Sequence, residues 1–323
     1  MADRQDVSIA VIGIGAVGGY LGALLSRSHQ HVTMIDCDPR LELCKTEGLH
    51  LISDKLSDDA IILAHDTAGS IRDVERHDVV FVCVKRNNLD AVVEDIALSA
   101  SKGAIVVPIM NGVDHGEFCR EGLPDATVIE GLVYIVVERS GMTVHQQGPY
   151  AHVHVSPGKE SDSAREAVKL VHDILGDASI DCVIERDIDK ALWEKYIFNC
   201  AFNMITARYA IDADGIRSSD HLNDYLAIVD ETYALALRKG VKIRRSVIDR
   251  QNAFFMKGMG GSAISSLRRD IDRGVEGELF LFGGWPVREA ENLGLDMPVL
   301  SRHYTETLEL VKENKERSYT GIH

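Results

Sequence analysis

Two kinds of hydrophobic pattern divide the chain. In the first half, short apolar runs recur between stretches of helical composition. Ser8 to Ile12 reads as a β-strand bounded by glycine, Val17 to Arg27 as a helix, and His31 to Ile35 as a second strand. Val79 to Val84, Ala104 to Met110 and Ala126 to Ile129 continue the series; the first of these is apolar at every position, as a strand covered on both faces should be. Strands of this kind spaced by helices predict βαβ units and a parallel sheet. From Val144 to Val155 the pattern changes to alternation, which predicts an antiparallel edge ribbon.

Beyond about residue 187 the strand-like runs stop. Helices are expected over Asp187 to Ala207, Asn223 to Lys239, Val247 to Met256, Glu276 to Asn292 and Val299 to Lys315, with Glu316 to His323 as a frayed end. The chain therefore divides into an α/β domain with a parallel sheet, residues 1–186, and an all-α domain, residues 187–323.

Composition narrows the classes of function. The 323 residues carry 45% hydrophobic and 26% charged side chains, enough to bury a core in each domain. Fifty acids against 35 Lys plus Arg leave a net charge of −15, which argues against a nucleic-acid partner, since phosphate contacts need a basic footprint. Cys37, Cys44, Cys83, Cys119, Cys182 and Cys200 are scattered without close pairs, so neither a zinc site nor a redox motif is expected, and no metal is. The first residues lack the pattern of a cleavable leader, and no stretch is apolar for the roughly 20 residues a bilayer requires, so a cytoplasmic protein without a membrane partner is expected.

Gly13-Ile14-Gly15-Ala16-Val17-Gly18 follows the first strand and opens the first helix. In that context GxGxxG has a mechanism. Gly13 allows a tight turn, Gly15 lets backbone approach a pyrophosphate at the helix N-terminus, and Gly18 lets helix and strand pack closely. Asp36 closes the second strand, 18 residues after Gly18, where an acid accepts from the adenosine ribose hydroxyls and repels a 2′-phosphate. The expected cofactor is thus NAD or NADP, with NAD favoured by Asp36. Asp36-Cys37-Asp38-Pro39 is also good turn chemistry, and Arg40 lies near enough to weaken the preference.

In the second domain, Lys195, Asn199 and Asn203 recur at i, i+4 and i+8 in an otherwise apolar and aromatic segment, so they line one helix face. Buried polar groups need partners or a ligand. One lysine with two neutral amides suits a small anionic, oxygen-rich molecule, and a lysine partly removed from water can donate a proton near neutral pH. The alternative is an exposed stripe of an amphipathic helix, which asparagine's low helix propensity disfavours.

The glycine loop, the Lys-Asn-Asn helix and the later Ser265-Ser266…Glu278 segment together resemble the ketopantoate reductase (2-dehydropantoate 2-reductase) family, in order and over nearly the whole chain. The resemblance implies a Rossmann-type N-terminal domain, an all-helical C-terminal domain and a cleft between them. It implies that Lys195 is the proton donor to the ketone oxygen and that Asn199, Asn203 and Ser266 bind substrate. Asn111 would contact both nicotinamide and substrate, Lys85 would lie near the cofactor, and Glu278 would sit beside the cofactor and Lys195. Each also has a plainer reading: Asn111-Gly112 as a turn, Lys85 as a strand-end charge, Glu278 as a surface partner for a lysine, and Ser265-Ser266 as a helix cap. The chain departs from the family at Asn203-Met204 (often Asn-Pro), at Asp214-Gly215 (often Asn-Gly), and at Leu279 to Gly284, which is apolar where the family tends to be polar.

The implied reaction is NAD(P)-dependent reduction of a small 2-keto acid, ketopantoate foremost, by a homodimer. An NAD-dependent D-2-hydroxyacid dehydrogenase of the same superfamily is the alternative, and the departures favour it. A β-hydroxyacid dehydrogenase fits the Ser266…Glu278 spacing less well, and a non-catalytic NAD(P)-sensing regulator would not need Lys195, Asn199 and Glu278 together. Residues 236 to 274 hold ten Lys or Arg and three acids, a local +7 in an acidic chain, which suits anion steering, an interface or a solvated face. Met256 to Gly261 (MKGMGG) has the glycines of a mobile loop able to close over a ligand.

Overall fold

The computed structural model describes residues 6–37, 39–56, 59–99, 103–159 and 161–320, with backbone alone at 315–320. The chain divides into two compact units, Met1–Ile188 and Asp189–His323.

The first unit is built on a six-stranded sheet. Its strands are β1 (Ile9–Ile12), β2 (Val32–Ile35), β5 (Asp66–Ala68), β6 (Val79–Val82), β7 (Ile105–Pro108) and β8 (Thr127–Val128), ordered β5-β2-β1-β6-β7-β8. All neighbouring pairs are parallel. The continuous apolar runs serve both faces. Ile9, Val11, Val79 and Phe81 point into one buried cluster, and Ala10, Ile12, Val80 and Val82 into another. The first cluster includes Tyr20, Leu21, Leu24 and Leu25 of α1 (Ala16–Ser28) and Val171, Ile174 and Leu175 of α5 (Asp162–Asp177). The second is closed by α3 (Leu89–Leu98) and α4 (His115–Gly122). A short α2 (Arg40–Thr46) follows β2.

A second sheet contains β3 (Leu49–Ser53), β4 (Ala60–Ile62), β9 (Glu130–Ser140), β10 (Thr143–Ser156) and β11 (Asp181–Ile184). The alternating segment expected at an edge is β10, and it lies inside this sheet. It pairs antiparallel with β9, as a ribbon should, but also parallel with β3 and β11. Its alternation reports one-sided burial rather than an edge: Val144, Ala151, Val153 and Val155 enter the core, and His152 and His154 face the other way.

The second unit is helical: α6 (Ile188–Tyr209), α7 (Ala213–Arg217), α8 (His221–Arg238), α9 (Arg245–Lys257), α10 (Ser266–Asp272), α11 (Trp285–Asn292) and α12 (Pro298–Thr320). A π-helical turn, Phe280–Gly284, leads into α11. The end expected to fray from Glu316 instead continues α12 through Thr320; residues 321–323 lie outside the described ones. Aromatic rings form the interior, with Trp193, Tyr196 and Trp285 in edge or tilted contact and Phe202 and Tyr225 against Phe255. No helix among the described residues is long and apolar enough to cross a membrane.

Candidate active site

In the first unit the chain leaves β1 through Gly13, whose φ of +93° only glycine adopts readily; a Cβ there would stand 2.8 Å from the Cys83 carbonyl oxygen. A Cβ on Gly18 would overlap the Gly13 carbonyl oxygen, whereas one on Gly15 would meet nothing within 4 Å. Two glycines therefore make the turn compact, and the third leaves open space at the first turn of α1. No side chain caps that helix N-terminus, and its first turn has no acid. Backbone N–H groups and the helix dipole are the means this loop has to bind a phosphate, so its geometry fits the pyrophosphate of a dinucleotide.

Asp36 follows β2 and is almost wholly buried. Its Oδ2 accepts from the Ile14 N–H at 2.7 Å and from Arg40 Nη1 at 2.6 Å, and its Oδ1 accepts from the Cys37 N–H at 2.8 Å. The carboxylate thus braces the glycine loop, a role that residue spacing alone does not reveal. Ile14 is buried, and Ala16 and Val17 begin α1 half-buried. Lys85 and Asn111 lie just beyond β6 and β7, at the same C-terminal edge of the sheet as the glycine loop beyond β1. In doubly wound sheets that edge is where ligands bind. Both side chains are half-buried, and Gly112 after Asn111 takes a positive φ of +112°.

In the second unit, α6 presents Lys195, Asn199 and Asn203 on one face. Burial pushes the Lys195 ammonium down to about 8, and the nearby Glu278 carboxylate opposes that push. Asn203 is buried and engaged on both ends: Nδ2 donates to the Asn199 carbonyl at 2.9 Å, and Oδ1 accepts from Ser266 Oγ at 3.3 Å and from the Leu267 N–H at 3.1 Å. Ser265, not Ser266, caps α10, accepting from the Arg268 N–H at 3.1 Å. Thr206 Oγ1, one turn beyond Asn203, donates to Ser265 Oγ at 2.7 Å. The structure therefore ties the Asn203 side chain to Ser266 and to the Asn199 backbone, and sets Glu278 within electrostatic reach of Lys195. Thr206 escapes sequence reasoning because a threonine in an apolar helix carries no distinguishing local signal.

One expectation changes. Met256 to Gly261 is not a free loop. Arg217 Nη2 donates to the Met259 carbonyl at 2.7 Å, the Asp214 N–H donates to the Gly261 carbonyl at 2.9 Å, and a Cβ on Gly261 would overlap the Asp214 carboxylate. These bonds hold the segment against α7. Part of the basic stretch is paired in space: Lys239 pairs with Glu289 at 2.6 Å, Arg245 with Asp230 at 2.6 Å, and Arg268 with Asp272 at 2.6 Å. Two of those acids lie outside the stretch, so its local charge overstates the field. Among the described residues, no group of three His, Cys, Asp or Glu side chains could hold a metal ion.

Comparison with known proteins finds matches over both units. The family model described as ketopantoate reductase PanE/ApbA matches residues 9–160, and that of its C-terminal domain matches residues 187–309. The chain is 26% identical over 296 residues to the 2-dehydropantoate 2-reductase of Archaeoglobus fulgidus, covering 90% of this chain and 93% of that one. A PanE/ApbA family ketopantoate reductase from Ralstonia eutropha JMP134 shares the fold with a TM-score of 0.85 at 23% identity, over 96% of this chain and 100% of that one. A D-mandelate dehydrogenase, solved with NADH and anilino(oxo)acetate, shares it with a TM-score of 0.84 at 18% identity, over 96% and 99%.

Proposed function

Because the chain belongs to the ketopantoate reductase PanE/ApbA family, we propose that it reduces a small 2-keto acid to the 2-hydroxy acid with NAD(P)H, ketopantoate being the first candidate substrate. The observation that carries this reading is Lys195: an amine on a largely apolar helix, held near a pKa of about 8 between burial and Glu278, on the same helix face as Asn199 and as Asn203, which is bonded to Ser266. Such a group is charged enough at neutral pH to attract a carboxylate and acidic enough to give up a proton.

NAD(P)H, when bound, supplies the hydride that reaches the keto carbon. Lys195 Nζ donates its proton to the carbonyl oxygen as negative charge develops there, and ends as the neutral amine. Stabilisation at that oxygen acts on the barrier itself, because the charge is greater in the transition state than in the substrate. Glu278 keeps Lys195 protonated between turnovers. Asn199 and Ser266 offer hydrogen bonds to the substrate, and Asn203 holds both segments in place. In the first unit, Gly13 to Gly18 would hold the pyrophosphate, and Lys85 and Asn111, at the same edge of the sheet, would hold the cofactor further along.

For the coenzyme, we take NADH as the better one. Arg40 is already paired with Asp36 at 2.6 Å, so a 2′-phosphate would have to displace the carboxylate and would meet its charge. We further propose a cytoplasmic homodimer, as a dimeric ketopantoate reductase of Staphylococcus aureus shares the fold; light scattering tests the dimer.

A second reading has its own support. Phe280, two residues beyond Glu278, remains exposed with Arg288 stacked over its ring at 5.2 Å. The run Leu279 to Phe282 that follows Glu278 is apolar and a D-mandelate dehydrogenase shares the fold, which suits a bulkier 2-keto acid, as a D-2-hydroxyacid dehydrogenase would take. The deciding experiment follows nicotinamide absorbance with NADH and NADPH in parallel against ketopantoate and a panel of aliphatic and aryl 2-keto acids. Oxidation with ketopantoate supports the first reading, and oxidation with aryl substrates alone supports the second. Tight NADH binding without turnover would replace both with a sensor.

A further inference from the structure

Glu278 ends the loop after α10, and the helix that starts at Leu279 does not begin as an ordinary α-helix. Its turn Phe280–Gly284 is π-helical: the Trp285 N–H donates to the Phe280 carbonyl, five residues back. At the same spacing, the Leu281 carbonyl would need an N–H from residue 286. That residue is Pro286, which has none. Leu281 would therefore keep a buried, unpaired carbonyl, a costly state in a dry interior. The Tyr196 hydroxyl fills the gap by donating to the Leu281 carbonyl oxygen.

Tyr196 is the residue after Lys195 on α6 and is 1% exposed. Its ring is fixed by Trp193 at 5.6 Å and Trp285 at 5.7 Å, both edge-on. The Glu278 carbonyl accepts from the Phe282 N–H at 3.1 Å, so Glu278 is tied into this same turn. On the far side of the turn Gly283 lies against Tyr304 of α12 and Met204 of α6, where a Cβ would stand 3.0 Å from the Tyr304 Cβ and 3.1 Å from the Met204 sulfur. The turn is thus clamped between α6 and α12. One hydroxyl connects the helix that carries Lys195 to the turn that carries Glu278.

We propose that Tyr196 is a positioning residue: through the Leu281 carbonyl that Pro286 leaves without a donor, it holds the Glu278 carboxylate in register with the Lys195 amine. This rests on the reading of Lys195 as proton donor, but its test does not require turnover. Besides Glu278, the titratable and charged groups about the junction, among the described residues, include Cys200 on α6, Tyr304 on α12, Glu276, whose charge acts on Tyr304, and Lys239 and Arg288, over the Trp285 and Phe280 rings. Burial raises the proton affinity of Cys200 and Tyr304, so neither gains charge in the range where Lys195 titrates.

Tyr196→Phe removes the hydroxyl and keeps the ring. The rate at which acetic anhydride acetylates Lys195, followed against pH by peptide mass spectrometry, reads its titration directly. With Glu278 loosened, the midpoint is expected to fall by about one pH unit, the order of an opposite charge lost. In an active enzyme the fall appears as an earlier alkaline decline of kcat, with the keto-acid KM little changed. Adding Pro286→Ala supplies an N–H at residue 286 for the Leu281 carbonyl, and the midpoint should return toward that of the parent protein. This double variant also provides a folded reference should Tyr196→Phe alone melt. A titration that overlays the parent's, with only a lower melting temperature, would reduce Tyr196 to a core residue and overturn the proposal. A fall that Pro286→Ala does not reverse would overturn it too. If no 2-keto acid is reduced, the acetylation profile still decides.

Discussion

The two candidate binding regions are built from different materials. The glycine loop of the first unit is made of backbone: missing Cβ atoms, a positive φ, an uncapped helix N-terminus, and one acid that accepts from the Ile14 N–H. The Lys195 region of the second unit is made of side chains brought from α6, α10 and the loop before the π-turn. A backbone site needs only one short stretch in the right place. A side-chain site needs several helices to converge, and each must satisfy the polar groups it buries. The first design therefore tolerates no added atom, and the second no lost partner.

Lys195→Ala should break the contrast most sharply. Turnover should fall about a hundred- to ten-thousand-fold, as when a general acid is removed, while NADH affinity, measured by fluorescence, holds. A matching loss of NADH binding would mean that the two regions are not separable in this way. The pH profile sharpens the same point. A donor whose pKa lies near 8 is lost as pH rises through that value, so the reduction rate should decline there, and the reverse oxidation, which needs the neutral amine, should rise. A reduction rate flat from pH 6 to pH 10 would exclude Lys195 as donor.

Gly18→Ala tests the backbone design. Its new Cβ would overlap the Gly13 carbonyl, so helix and strand must separate, at a cost of about 1–3 kcal/mol. A lower melting temperature together with weaker NADH binding is expected; Gly15→Ala, which meets no protein atom, should weaken binding with the melting temperature unchanged. Asn203→Ala tests the side-chain design from the other direction. It leaves the buried Leu267 N–H without its acceptor, at a cost of about 1–3 kcal/mol, and it should raise KM for the keto acid because Ser266 loses its brace. Smallest is Asp36→Ala, which frees Arg40 and should shift the NADPH-to-NADH affinity ratio toward NADPH by about tenfold, the order of one charged hydrogen bond. An unchanged ratio would remove Asp36 and Arg40 from coenzyme choice.

The same contrast explains what could be read from the residues. GxGxxG and its flanking strand are legible because six neighbouring residues carry the whole device. The buried strands are legible because both faces of β1 and β6 are apolar. The polar stripe on α6 stands out because Lys195, Asn199 and Asn203 repeat at helical spacing among apolar neighbours. Short strands such as β5, with the sequence Asp-Thr-Ala, carry no such pattern and exist because β2 offers them an edge. The place of β10 inside its sheet was not legible, since alternation records which face is wet and not which strands lie alongside. The glycines of Met256 to Gly261 suggested mobility, yet hydrogen bonds from Arg217 and Asp214 hold that segment.

What the sequence by itself determined is the set of local commitments: a phosphate-binding turn, two domain types, and a lysine with two amides on one helix face. These follow from backbone sterics and hydrophobic period, which act over a few residues. Tertiary structure alone decided the partners. It gave Asp36 to the Ile14 N–H, closed Asn203 onto Ser266 and Leu267, set Glu278 against Lys195, and supplied the Leu281 carbonyl with the hydroxyl of Tyr196, 85 residues away. The reason is that a buried polar atom must find a partner wherever packing delivers one, and packing joins residues that no local pattern relates.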